Sequence, residues 1–327
     1  MLIALDAVGG DHFPENPVLG AIEACRENSN IQILLAGPEE LLVNELGKHN
    51  ADDNRISILN APQIITMDES PSSAVKSKRD SSIVAGLTAQ RNGECSAFVS
   101  AGNTGALLAA SALILGKLEG VHRPAIAAYF PTVKGFRLLM DAGANLEMKP
   151  EYYLQFAKMG TVYAKEVMQI KNPFVGLLNV GEEPEKGTDT IKEVYSILKQ
   201  LPNFSGNVEG KDIFSAKADI FLCNGFTGNI LLKFGESIPE ALQQLLKIQF
   251  EKKGTSSDMR KMIFGILSET LEPFNYENVG GIPFLGVNGL SMVGHGGSSA
   301  TAIKNMILNA ARFIEQNVNN KIVASIR

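Results

Sequence analysis

The chain has 327 residues, 45% hydrophobic and 20% charged, an ordinary globular composition with length enough for a large core. Its formal net charge of -5 argues against a general nucleic-acid binder, a task that favours a strongly basic surface. Three widely spaced cysteines, Cys25, Cys95 and Cys223, make neither a zinc motif nor a disulfide framework and suit a reducing cytoplasm. No basic n-region precedes LIALD, and no uncharged run approaches the roughly 20 residues that span a bilayer, so a cytoplasmic protein is expected, with contact at a membrane surface left open.

In chain order, Leu2–Leu5 reads as a strand and Pro17–Arg26 as a helix with Val18, Ile22 and Cys25 on one face. Strands follow at Ile31–Ala36 and Ile56–Leu59, then a turn at Asn60–Asp68 and a helix start at Ser70 with Pro71 behind it. Ala97–Ser100 is a strand and Thr104–Leu118 a helix. Ala125–Phe130 and Arg137–Met140 form a hairpin around Pro131–Gly135. A long helix runs from Pro150 to about Met168, Phe174–Asn179 is a strand, Thr188–Leu201 a helix, and Ile220–Cys223 the last clear core strand. Between Ile238 and Leu271 two consecutive helices, separated by Lys252–Asp258, break the α/β rhythm and predict a protruding hairpin whose apolar faces need a partner. Ser298–Val318 reads as a closing helix.

One arrangement recurs: a short apolar run ends in a Gly-rich loop carrying Asn, Ser, Thr or Asp, and a helix usually follows. It occurs at Leu2–His12, Ala97–Ala106, Arg137–Asn145, Val175–Thr188, Asp219–Asn229 and, less regularly, Gly286–Ser299. Helix N-termini present N–H groups that favour anions, so such loops imply a parallel sheet whose carboxyl edge carries a site for phosphate or a phosphorylated ligand. G-x-G-x-x-G after the first strand, the P-loop, G-x-S-x-G and H-E-x-x-H are all absent, and His12, His49, His122 and His295 are scattered. The sequence thus disfavours nucleotide-binding Rossmann domains, P-loop ATPases, serine hydrolases and zincins, and predicts no metal.

The loops supply the candidate residues. DAVGGDH gathers Asp6, Gly9, Gly10, Asp11 and His12, either as a ligand loop with His12 as acid, base or oxyanion donor, or as a tight turn capped by Asp6. Ser100, Asn103 and Thr104 fit a phosphate pocket and helix capping equally. In SAVKSKRDSS, Lys76 and Arg79 are three apart and can share a helix face toward phosphate, whereas Lys78 reads as solvated. Asp141, Asn145, Lys186, Asn224, Thr227, Asn229, Asn288, His295, Ser298 and Ser299 are each as well explained singly by turn chemistry. Together they offer donors and cations but few nucleophiles, which fits transfer to or from an oxyanion. Lys247, Lys252, Lys253, Arg260 and Lys261 line the helical hairpin, as the rim of a dimer interface or as a dock for an acidic carrier protein or anionic lipid.

DAVGGDHFP, AVKSKRDSS, VSAGNTGALLA, DAGAN, LLNVGEEPEKG, GNVEGKD, CNGFTGNILLK and GVNGLSMVGHGGSS, in this order, closely resemble the PlsX family, the bacterial acyl-carrier-protein:phosphate acyltransferases. The resemblance covers nearly the whole chain. It implies conversion of acyl-ACP and inorganic phosphate to acyl phosphate and free ACP, feeding a membrane glycerol-3-phosphate acyltransferase at the start of phospholipid synthesis. It further implies a homodimer without organic cofactor, peripherally bound to the membrane. The implied fold is a three-layer αβα sandwich with a mostly parallel sheet, like phosphotransacetylases and isocitrate/isopropylmalate dehydrogenases, with residues 1–327 as a single catalytic domain and a helical hairpin inserted at about 238–272. Lys186 and Asn229 match positions expected near the chemistry. Asn224 stands where the family usually has Asp, and Val8 and Phe13 replace a common Met and Ala.

The expected mechanism is direct attack of a phosphate oxygen on the thioester carbonyl, with Lys76, Arg79 or Lys186 holding the anion and Asn229 or His12 donating to the oxyanion. The alternatives are a short-chain phosphotransacetylase using acyl-CoA, a non-catalytic acyl or phosphate binder, and a decarboxylating dehydrogenase of the same fold.

Overall fold

The computed structural model describes residues 1–49, 54–275, 277 and 279–327. Strand β1 (Leu2–Asp6) is apolar on both faces, as a strand covered on both sides must be, with Ile3, Ala4 and Leu5 fully buried. It pairs in parallel with β2 (Gln32–Gly37) and β4 (Ala97–Ser100); β2 pairs in parallel with β3 (Ile56–Asn60). Helices α1 (Glu15–Glu27), α2 (Glu39–Lys48), α3 (Pro71–Ser77), α4 (Ser82–Arg91) and α5 (Thr104–Ile114) connect them. Pro71 opens α3 as its missing N–H permits. Because α3 ends at Ser77, Arg79 lies beyond it, and the shared helix face expected for Lys76 and Arg79 does not exist.

The chain changes sheets within one buried residue. β5 (Ala125–Ile126) is the edge of the first sheet, and after Ala127 β6 (Ala128–Thr132) begins the edge of the second. The expected hairpin is therefore β6 with β7 (Gly135–Met140), turning at Val133–Lys134. Then follow α6 (Pro150–Glu166), β8 (Val175–Leu178), α7 (Asp189–Leu198), β9 (Phe204–Val208), β10 (Ile220–Leu222), α8 (Gly225–Lys253) and α9 (Ser257–Leu271). β10 is not the last core strand. After the hairpin the chain returns to the first sheet as β11 (Ile282–Leu285) and β12 (Ser291–Val293), and closes with α10 (Ala300–Glu315) and α11 (Val318–Ile326).

The strands thus form two mixed, mostly parallel sheets, ordered β3-β2-β1-β4-β12-β11-β5 and β6-β7-β10-β8-β9, with one continuous hydrophobic cluster reaching into both. The αβα class stands, with its strands divided between two sheets. The hairpin starts earlier than its apolar pattern shows. α8 spans 29 residues, roughly 43 Å, with Pro239 inside it, because FTGN is its first turns rather than a loop. Left-handed Gly254 ends it, and Ser256 caps α9 through the Met259 N–H.

Candidate active site

Parallel strands send their following loops to the same edge. In the first sheet the loops after neighbouring β1, β4 and β12 meet there, held by a buried carboxylate. Ser100 Oγ donates to Asp6 Oδ2 (2.6 Å), the Val8 N–H donates to Asp6 Oδ1 (3.3 Å), and the Gly102 N–H donates to Ser100 Oγ (2.9 Å). Burial pushes the Asp6 carboxyl above its ordinary value, while hydrogen bonds from Ser100, Ser82 and Val8 pull the other way. The Asp11 N–H donates to the Gly296 carbonyl (2.8 Å), stitching the β1 loop to the β12 loop. Gly10, at φ +93°, must be glycine twice over, since a Cβ would also fall 2.8 Å from that same carbonyl oxygen.

Asn103 caps α5 by accepting from the Ala106 N–H (3.0 Å), and its amide donates toward the carbonyls of Thr66, Met67 and Glu69 (3.2–3.3 Å). Lys78, expected to be solvated, is tied to this segment through Glu69 and the Ile64 carbonyl, both at 2.6 Å. Ser298 donates to the His295 carbonyl (2.6 Å). The Gly297 N–H donates to His295 Nδ1 (3.1 Å), which places the proton of the neutral ring on Nε2.

The second sheet builds a matching edge. Fully buried Asp141 accepts from the backbone N–H groups of Ile126 (3.0 Å), Ala144 (3.1 Å) and Asn145 (2.6 Å), and from Asn145 Nδ2 (2.9 Å). Burial raises its carboxyl above the ordinary value despite these bonds. The Gly225 N–H donates to the Asn145 carbonyl (2.7 Å), and a Cβ on Gly228 would overlap the Asp141 carbonyl oxygen. The first turns of α8 are thereby pressed onto the DAGAN loop. Asn224 caps α8 by accepting from the Thr227 N–H (2.9 Å), a role Asn and Asp fill equally well.

Between the two edges lies a cavity of about 490 Å³. Asp11, Thr104, Asn229 and His295, with the backbone of Gly294 and Gly296, form its polar part. Ile126, Phe130, Phe136, Leu232, Phe274 and Ile282 give apolar wall. Lys233, the lone Lys or Arg among the described lining residues, is paired with Glu236 at 2.8 Å. Among the described residues no group of three or more His, Cys, Asp or Glu is arranged to hold a metal ion.

Residues 1–321 match the family described as "Fatty acid synthesis protein". A phosphate acyltransferase of Chlorobaculum parvum is 46% identical over 337 residues, covering 100% of this chain and 99% of the relative. One of Salinibacter ruber is 47% identical over 320 residues, covering 97% and 95%. The chain belongs to the PlsX family of phosphate acyltransferases. A phosphotransacetylase from Streptococcus pyogenes shares the fold, with a TM-score of 0.63 at 17% identity over 96% of this chain and 94% of that one.

In this phosphate acyltransferase the structure gathers Asp11, Thr104, Asn229 and His295 on one cavity wall. It places Asp6, Ser100, Asn103, Ser298, Asp141 and Asn145 among the bonds that hold the loops, with Gly9 packed on the Asp6 carboxylate. Cys25, Cys95 and Cys223 are buried, and burial pushes the thiols of Cys95 and Cys223 up. His12, Lys76, Arg79, Lys186 and Thr227 are exposed and are not among the described residues that line this cavity. Lys186 does follow β8, whose carboxyl edge is shared with β7 and β10. Asn288 sits in the β11–β12 turn, where its N–H donates to the Gly116 carbonyl beyond the C-terminus of α5 (3.1 Å). That turn precedes β12 and therefore occupies the sheet edge opposite the site. The sequence predicts an apolar channel with its mouth at the helical hairpin but names none of the residues of this wall. Phe130, Phe136, Phe274 and the 279–282 segment carry no polar signature, and only the fold brings them together.

Proposed function

We propose that the enzyme transfers the acyl group of acyl-ACP to inorganic phosphate, and that the acyl phosphate feeds glycerol-3-phosphate acylation at the membrane. Transfer of an acyl group with phosphate is the family's chemistry. The observation that carries the finer proposal is the cavity's two-sided character: donors at one part and aromatic and aliphatic side chains over the rest, as a phosphate and a fatty chain together require. A phosphate oxygen attacks the thioester carbonyl carbon, the C–O bond forms, and the oxyanion collapses with loss of the thiolate. Phosphate is itself the nucleophile, so the protein aligns the reactants and stabilises the oxyanion. Asn229, His295 and Thr104 are the donors on the wall. Helix N-terminal N–H groups take the part assigned to cations from the sequence.

Phosphate-dependent release of free thiol from palmitoyl-ACP tests this assignment. Asn229→Ala should lose about 100-fold or more in turnover, the usual cost of one oxyanion donor, and Lys186→Ala and His12→Ala should lose less. Full turnover in both Asn229→Ala and His295→Ala would refute it. The shared fold supports a second reading, a short-chain phosphotransacetylase, and faster turnover of acetyl-CoA than of palmitoyl-ACP would favour it. We place carrier or anionic-lipid docking on Lys247, Lys252, Lys253 and Lys261 of the helical hairpin, and a homodimer contact on its exposed apolar faces. Arg260 is committed to the hairpin turn, where it donates to the carbonyls of Thr255 (2.9 Å) and Phe250 (3.3 Å).

A further inference from the structure

Resting on the acyl-transfer proposal above, we infer that a row of three aromatic rings, Phe130–Phe214–Phe274, opposed by the bare backbone of Gly235, forms the stop that limits how long an acyl chain the enzyme accepts. The cavity has a direction along α8. Asn229 stands at its polar part, and Leu232, Lys233, Gly235 and Glu236 follow on the same wall. Gly235 lies roughly 9 Å beyond Asn229, six residues at the 1.5 Å rise of an α-helix. A chain whose carbonyl meets Asn229 and that follows α8 runs toward Gly235.

There the wall changes character. Gly235 is buried against the Phe130 ring so closely that a Cβ would fall 2.8 Å from Phe130 Cε2. Phe130 is 2% exposed and cannot swing aside freely, because Phe214 backs it at 5.6 Å between ring centroids. Phe214 in turn packs on Phe274 at 6.0 Å, and Phe274 returns to the cavity wall. Pro239, four residues past Gly235, has no N–H to give the Gly235 carbonyl, so the helical ladder is interrupted at this same point. The Phe130 ring lies in contact with the side-chain-free backbone of Gly235, so the wall closes across the path of a chain that runs along α8.

The test compares kcat/KM for phosphate-dependent thiol release from butyryl-, octanoyl-, palmitoyl- and stearoyl-ACP. Phe274→Ala removes the half-buried end of the row and should shift preference toward longer chains. Gly235→Leu drives a side chain against Phe130 and toward the cavity end and should shift it toward shorter ones. Each shift should reach about ten-fold, the discrimination that methylene-sized changes give in an apolar pocket. The same variants are scored by displacement of bound cis-parinaric acid with saturated fatty acids of graded length, a readout that needs no turnover. A wild type that binds fatty acids with a length cut-off but releases no thiol would refute the transfer reaction and keep the stop. Unchanged length profiles in folded Phe274→Ala, in turnover and in binding, would overturn the stop, whether or not Gly235→Leu folds.

Discussion

Two buried carboxylates organise the two edges that meet at the cavity, and both are held above the ordinary carboxyl value of 3.8 by burial. The sign of the consequence follows directly. A group that binds its proton more tightly folded than unfolded contributes stability that is complete below its unfolded value and lost as pH rises through its folded value. Asp6→Asn cannot titrate, so its stability should fall less steeply than that of the wild type as pH rises above the ordinary carboxyl value of 3.8. Urea denaturation across that range measures the difference, and parallel slopes would refute it. Asp6 was legible as a loop residue because it ends an apolar strand before a Gly pair. Its partner Ser100 lies on another strand, and only the β1–β4 pairing reveals that the two form one bonded unit. Lys76, Arg79 and Asn288 do not line this cavity, for the converse reason. Residue type and neighbouring glycines are local properties, whereas the choice of sheet edge depends on strand direction several elements away.

The elements followed from periodicity wherever a strand is buried on both faces or a helix has one apolar stripe. Pro71 and Pro150 each mark a helix start as expected. The short strands β11 and β12 escaped because four and three residues carry too little pattern against a Gly-rich background. The start of α8 escaped because two glycines in its first turn read as loop. Gly228 is there for close approach, not for flexibility. Gly228→Ala should therefore destabilise by about 1–3 kcal/mol through overpacking against the Asp141 carbonyl, although alanine is the better helix former. Thermal melting checks this, and a rise in Tm would show that the helix start can shift off the loop.

For the molecule as a whole, the sequence predicted a parallel αβα protein, an edge suited to an anionic ligand and a basic, apolar hairpin. It did not show two sheets, because the switch between them takes one alanine. The hairpin leaves Leu245, Met262 and Ile266 about 60% exposed, with lysines beside them. No helix of the described residues is long and apolar enough to cross a membrane. Reversing Lys252, Lys253 and Lys261 to Glu should weaken co-sedimentation with vesicles containing anionic phosphatidylglycerol, or binding of acyl-ACP, more at low salt than at high salt. Arg260 should stay native in that experiment because the hairpin turn depends on it. Unchanged affinity for both would leave the lysines as a solvated rim.

The passage through Ala127 also bears on how anything enters the chamber. Ile126 lines it, the Ala142 N–H donates to the Ile126 carbonyl (3.1 Å), and strand pairing resumes at Ala128, so this flank has no slack. The opposite flank is tied as well: the Glu277 and Val279 carbonyls accept from Asn305 and Asn309 of α10, and Gly280 and Gly281 press on Met306. The chamber is thus braced on both flanks, by strand pairing on one and by α10 on the other, and its shape is a property of the whole fold.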